Sequence, residues 1–209
     1  MGDVNTVHNK TLGTIRHHME SARDALIGTP LWVWPVPALL CVIILLILQT
    51  PLGWITAKPF QEIAAPMVIG LTAGLALAVH YWLRSLFTLM LACFAVALFF
   101  RELHFVGTNN GIYLAVIILA VWASAKREEI REFIGNRWIA GLLACAVWTY
   151  FVTKLFDRHY LSFLPNYVAW ENNAEESLET FGHLMVFALV VLTLRLGSLR
   201  QGREPRGPS

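Results

Sequence analysis

Charge is what this sequence has least of. Asp, Glu, Lys and Arg make up 14% of its 209 residues, where a soluble domain carries nearer a quarter. Cysteine is also scarce. Cys41, Cys93 and Cys145 stand alone, far apart, each inside an apolar run. That spacing builds neither a disulfide framework nor a paired-cysteine zinc site, so the three read as small packing residues. Sustained alternation with a period of two is missing, which excludes a transmembrane β-barrel. Residues 1–24 carry charge throughout and contain no apolar core, so no secretory signal is expected there. The net charge of +2 is small, and no nucleic-acid partner is expected.

What is present is hydrophobic: 56% of the chain, gathered into runs near the length of a bilayer crossing. The first begins at Leu31, with Pro35 and Pro37 in its opening turns, where a missing N–H costs least. Trp32 and Trp34 suit one membrane interface and Trp54 the other. The second runs from about Ile63 to Leu83. Gly70, Gly74 and Ala78 recur at steps of four there, a small-residue stripe expected to pack on another helix. His80 reads as an interfacial histidine. Arg84 and Ser85 alone separate this run from the third, which implies a tight helical hairpin. The third is free of charge only from Ser85 to Phe100. Asn109-Asn110-Gly111 reads as a turn before the fourth run, Ile112 to Ala125. KREEIRE then reads as a charged loop. The fifth run starts near Trp138 and meets Lys154 and Asp157. A loop of about 15 residues follows, a length uncommon without a role. It leads to the sixth run.

The expected architecture is all-α: a polytopic membrane protein, a six-transmembrane-helix bundle with an N-terminal amphipathic interfacial helix. Residues 1–28 form the cytoplasmic amphipathic segment, in which Leu12, Ile15, Met19, Ala22 and Leu26 make one stripe. Residues 29–196 form the transmembrane domain, and 197–209 a disordered basic tail. Six crossings put both termini on one side. The other side then holds Lys58, Arg101, Lys154 and Arg158, leaving twelve of the sixteen basic residues with the termini. By the positive-inside rule the termini are cytoplasmic and the protein is a multi-pass protein of the cell (inner) membrane.

Chemistry is expected at the outer, periplasmic edge. The apolar stretch Leu184 to Leu194 is too short to cross alone, since a crossing needs about 20 residues. A helix ending at Arg195 must therefore start near Glu176, which places Glu176, Glu179 and His183 at or inside the membrane edge. Ionisable groups there are costly and point to function. On a helical wheel Glu175, Glu176, Glu179 and His183 share an arc of roughly 100°. Tyr150, Lys154 and Asp157 share a face of the fifth helix. On the third, Arg101 and His104 share a face from which Glu102 points away. These groups define an outward mouth holding Glu102, Asp157, Glu175, Glu176, Glu179 and His183, with Arg101, His104, Lys154 and His159 nearby.

Carboxylates and imidazoles suit zinc, manganese or iron, so Glu175, Glu179 and His183 are the expected ligands of a divalent metal. The surrounding residues would instead bind a polar lipid headgroup or a small polar ligand. Were the site a metal-dependent hydrolase or lipid-modifying enzyme, Glu179, His183 and Asp157 would be its catalytic groups. The di-iron pattern of Glu-x-x-His on two helices is not met, because the sequence offers Glu179-x-x-x-His183. Cation or proton passage through Glu179 and His183 lacks a polar inner half. A structural ion-pair network, with Arg101, Lys154 and Arg158 pairing the acids, is the other reading. The bilayer is the expected partner, together with a partner subunit in a membrane complex or a second copy of the chain.

Overall fold

The computed structural model describes residues 28–103 and 108–201, together with Arg16, Met19, Glu20 and Arg23; all its regular elements are helical, and no strand occurs among the described residues. A 3₁₀ turn (Leu31–Val33) leads into α1 (Val36–Leu48), with Pro35 at its N-cap and Pro37 in its first turn. A second 3₁₀ turn (Gly53–Thr56) precedes α2 (Lys58–Leu83). Then follow α3 (Leu86–Glu102), α4 (Thr108–Ala125), α5 (Arg127–Ile134), α6 (Arg137–Asp157) and α7 (Tyr167–Gln201).

Four segments are long and apolar enough to cross a membrane: Leu31–Leu48, Lys58–Leu83, Arg137–Asp157 and Tyr167–Leu199. The apolar part of α4, Gly111–Ala125, is shorter. α3 has 17 residues, about 26 Å at 1.5 Å per residue, just under a hydrocarbon core of roughly 30 Å. Helices α1, α2 and α4 turn large apolar side chains outward, among them Leu39, Leu46, Met67, Leu71, Leu114 and Ile117. That surface suits lipid and not water.

α7 lies between α2 and α6, α3 packs on α2, α4 on α3, and α1 on α6 and α7. The core sits where α2, α3, α6 and α7 meet, around Ile69, Ala76, Leu98, Ile139, Val186 and Leu189. The antiparallel course gives the bundle two distinct ends. Trp32 packs on Gly141 and Leu83 on Gly197 at one end. The start of α2 and the C-terminal ends of α3 and α6 gather around the first half of α7 at the other.

The hairpin between α2 and α3 is as tight as the two-residue gap implies. Arg84 takes the left-handed conformation (φ 48°), and Ser85 caps α3 by accepting from the Thr88 amide at 3.2 Å. His80 spans the turn with Nδ1 3.1 Å from Thr88 Oγ1.

Several local expectations change. KREEIRE is not a loop: Arg127–Ile134 is helical, because Ile130 and Phe133 fall on one face and bury there, with Phe133 stacked on Phe87 at 5.1 Å. Asn109-Asn110-Gly111 lies within the first turn of α4 and does not precede it. Of the small-residue stripe, Gly70 meets Phe99 of α3, whereas Gly74 and Ala78 are exposed. The packed face of α2 carries Ala65, Ile69, Ala73 and Ala76 instead. The loop expected to run about 15 residues is shorter: α6 extends to Asp157, so only residues 158–166 separate it from α7.

The largest correction concerns the sixth run. α7 starts at Tyr167, nine residues before Glu176, and continues past Arg195 to Gln201, five residues into the stretch expected as a tail. Its acids are therefore helical extensions and not a makeshift for missing length. The proposed N-terminal stripe lies outside the described residues except for Met19, which is exposed.

Candidate functional site

α7 supplies the centre. Glu179 and His183 are four residues apart and so lie one above the other on one helix face. Both are buried, Glu179 at 6% exposure and His183 at 0%. α6 approaches this face through Tyr150, whose hydroxyl stands 2.6 Å from His183 Nδ1. The approach depends on Gly182. A Cβ there would lie 2.9 Å from two ring atoms of Tyr150, so the aromatic ring rests directly on the α7 backbone. Phe94 of α3 backs the same ring edge-on at 6.4 Å.

The end of α3 contributes Arg101 and Glu102 together. Glu102 Oε1 stands 3.4 Å from His183 Nε2. Arg101 Nη1 contacts Glu179 Oε1 directly and lies 3.9 Å from Glu102 Oε1. His183 Nε2 is buried and makes no hydrogen bond with acceptable geometry. Among the described residues, one group of metal-ligating side chains converges: Glu102, Glu179 and His183 each offer an atom within 4.8 Å of the others.

Around the cluster several further charges pair off. Lys58 of α2 reaches Glu176 at 3.4 Å and Glu62 at 3.9 Å. Lys154 binds Asp157 at 2.7 Å within the last turn of α6. His159 holds Glu171 at 3.1 Å. Uncharged links tie the same end of α7 to the start of α2: Thr180 Oγ1 donates to Gln61 Oε1 at 2.6 Å, and Gln61 Nε2 donates to the Ile55 carbonyl at 2.5 Å.

The third and sixth runs thus bring acids and an imidazole to one point, whereas the fifth brings only Tyr150. Its membership differs from the expected ligand set. Glu102, expected only to bind, takes the place given to Glu175, which is half-buried one turn nearer the N-terminus of α7. Asp157 is exposed and engaged by Lys154, outside the cluster. His159 is exposed, and His104 lies outside the described residues. The cluster is interior and not the lining of an open mouth. The apolar groove of about 420 Å³ that the bundle does present lies between α1 and α6, lined by Trp34, Cys41, Trp148, Phe156 and Trp170 and by none of the three cluster residues.

Tyr150 carried a sequence signal, sharing the Lys154 face, yet its role on His183 was not visible. Gly182 carried none, because nothing in a lone helical glycine says which ring lies against it. No family model matches the chain, and no curated protein or solved structure is detectably similar to it.

Proposed function

We propose that the chain is a multi-pass protein of the cell membrane with six crossings, counting α3 and α4 with the four longer segments, and both termini in the cytoplasm. In this reading it binds a divalent transition-metal ion, zinc, manganese or iron, at Glu102, Glu179 and His183. One observation carries the metal reading. His183 Nε2 is fully buried and faces Glu102 Oε1 at 3.4 Å outside good hydrogen-bond geometry, its other ring nitrogen is held by Tyr150, and two carboxylates from different helices converge on it.

The chemistry of the set agrees. Metal-bound histidines characteristically tie their second ring nitrogen to a neighbouring group, which fixes tautomer and orientation. The separation of 3.4 Å between His183 Nε2 and Glu102 Oε1 matches the roughly 3.3–3.4 Å between two ligands of a tetrahedral ion with bonds of about 2.0–2.1 Å. Three protein ligands leave a coordination position open, as catalytic sites do. Hydrolysis or modification of a lipid at that position is the enzymatic extension of the proposal. A headgroup would meet the half-buried Glu175 and Glu176, the latter paired with Lys58, before reaching the ion.

The direct Arg101–Glu179 contact favours a second reading, in which the cluster is an ion-pair lock joining α3 to α7. The two readings separate by experiment. Detergent-purified protein equilibrated with zinc, manganese or ferrous iron and then desalted should retain about one ion per chain. Glu179→Gln and His183→Ala should lose that ion while eluting as folded protein. Retention of no ion, or equal retention by both variants, would contradict the metal reading.

A further inference from the structure

The contact of Arg101 with Glu179 bears on what an incoming ion must displace, an inference that rests on the metal reading above. We infer that Arg101 is an internal counter-ion that occupies the Glu179 carboxylate when no metal is present, and that a divalent ion binds by displacing it.

Arg101 Nη1 touches Glu179 Oε1 and lies 3.9 Å from Glu102 Oε1, and the three side chains are only 13%, 8% and 9% exposed. Two carboxylates in so enclosed a place need a positive charge, since an unpaired buried carboxylate is strongly destabilising. The guanidinium supplies one against two carboxylates, which leaves the cluster net negative and still able to attract a cation. An ion bonded to the same carboxylates would face that guanidinium across a few ångströms of low-dielectric interior, where like charges repel far more than in water. Both cannot stay.

Arg101 has somewhere to go. It sits in the last turn of α3, and the exposed carboxylate of Asp157, bonded to Lys154 at 2.7 Å, feels the charge of Arg101 as well. A long, flexible side chain can swing from the buried carboxylate to the wetter one while its backbone stays in place. Displacement also sets selectivity. A monovalent cation offers Glu102 and Glu179 no more charge than the guanidinium already does, and it forfeits the hydrogen bonds. A divalent ion offers twice the charge and takes His183 Nε2 as well. The site therefore selects for divalent over monovalent cations through its own arginine.

The test is zinc affinity, measured by competition with a chromophoric chelator on the full detergent-purified chain. Arg101→Gln should bind zinc about tenfold more tightly than the wild type, a typical size for coupling between two bound groups. Its metal-free form should melt lower, and zinc should restore the loss. Arg101→Lys, which keeps the competing charge, should stay within about threefold of the wild type. Asp157→Asn, at an exposed position, keeps the test open should Arg101→Gln not fold: it should weaken zinc binding by roughly three- to tenfold. Wild-type protein that binds zinc, with Arg101→Gln binding no tighter or Asp157→Asn unaltered, overturns the displacement and leaves the metal site standing. Failure of every form to bind zinc overturns the metal site itself, and the inference with it.

Discussion

Gly182 and Tyr150 decide how His183 is presented. With a hydrogen in place of a side chain, residue 182 lets the Tyr150 ring lie on the helix and its hydroxyl reach Nδ1 at 2.6 Å. Gly182→Ala would push the ring away, an overpacking cost of about 1–3 kcal/mol, and would loosen His183. Tyr150→Phe keeps the ring and removes the hydroxyl. It leaves a buried nitrogen without its partner, at about 1–3 kcal/mol, and should lower zinc affinity by about 10- to 100-fold, the usual effect of losing the group behind a metal-bound histidine. Thermal unfolding and a zinc titration of both variants check these outcomes. Unchanged affinity in Tyr150→Phe would mean that the tyrosine only packs. Glu179 and His183 were legible at this scale, because four-residue spacing between ionisable groups in an apolar run has few other readings. The joint arrival of Arg101 and Glu102 was not. Neighbours on a helix diverge by about 100°, and only their length, at the end of α3, lets both reach the same point.

At the scale of elements, the periodic stretches were readable and their ends were not. The α2–α3 hairpin followed from a gap too short for anything else. Composition sets the start of α7 too late, because its charged first turns have the character of a solvated loop. They are carried by a second stripe, Tyr167, Ala174 and Leu178, which buries against Phe156 and Ile44. The Tyr167 hydroxyl donates to the Phe156 carbonyl at 2.8 Å and Trp170 Nε1 to the Pro165 carbonyl at 3.1 Å. With left-handed backbone at His159 and Asn166, these bonds compress the connection to nine residues. With 35 residues, α7 is about 52 Å long, well beyond a hydrocarbon core of roughly 30 Å. Its acidic turns can thus stand at the membrane edge while the apolar turns cross. A short helix such as α5 is equally invisible to composition: its charges announce solvent, and only the burial of Ile130 and Phe133 shows that it docks.

For the whole molecule, the proposal places the cluster end of the bundle outside and the ends carrying the termini inside. A chain in which the three native cysteines are replaced by alanine, with a single cysteine at exposed Arg158, should react with a membrane-impermeant maleimide in intact cells. The same chain with its cysteine at exposed Glu128 should react only after the membrane is opened. The reverse pattern would invert the topology, and reaction of both in intact cells would break the six-crossing count.

The central claim, an ion held between α3 and α7, is tested most directly by X-ray absorption at the zinc edge of the zinc-loaded, full-length protein. The account predicts nitrogen and oxygen neighbours at about 2.0–2.2 Å, the multiple-scattering signature of one imidazole, no sulfur, and loss of that imidazole signal in His183→Ala. A spectrum showing water oxygens alone, sulfur neighbours, or an imidazole signal that survives in His183→Ala would contradict it.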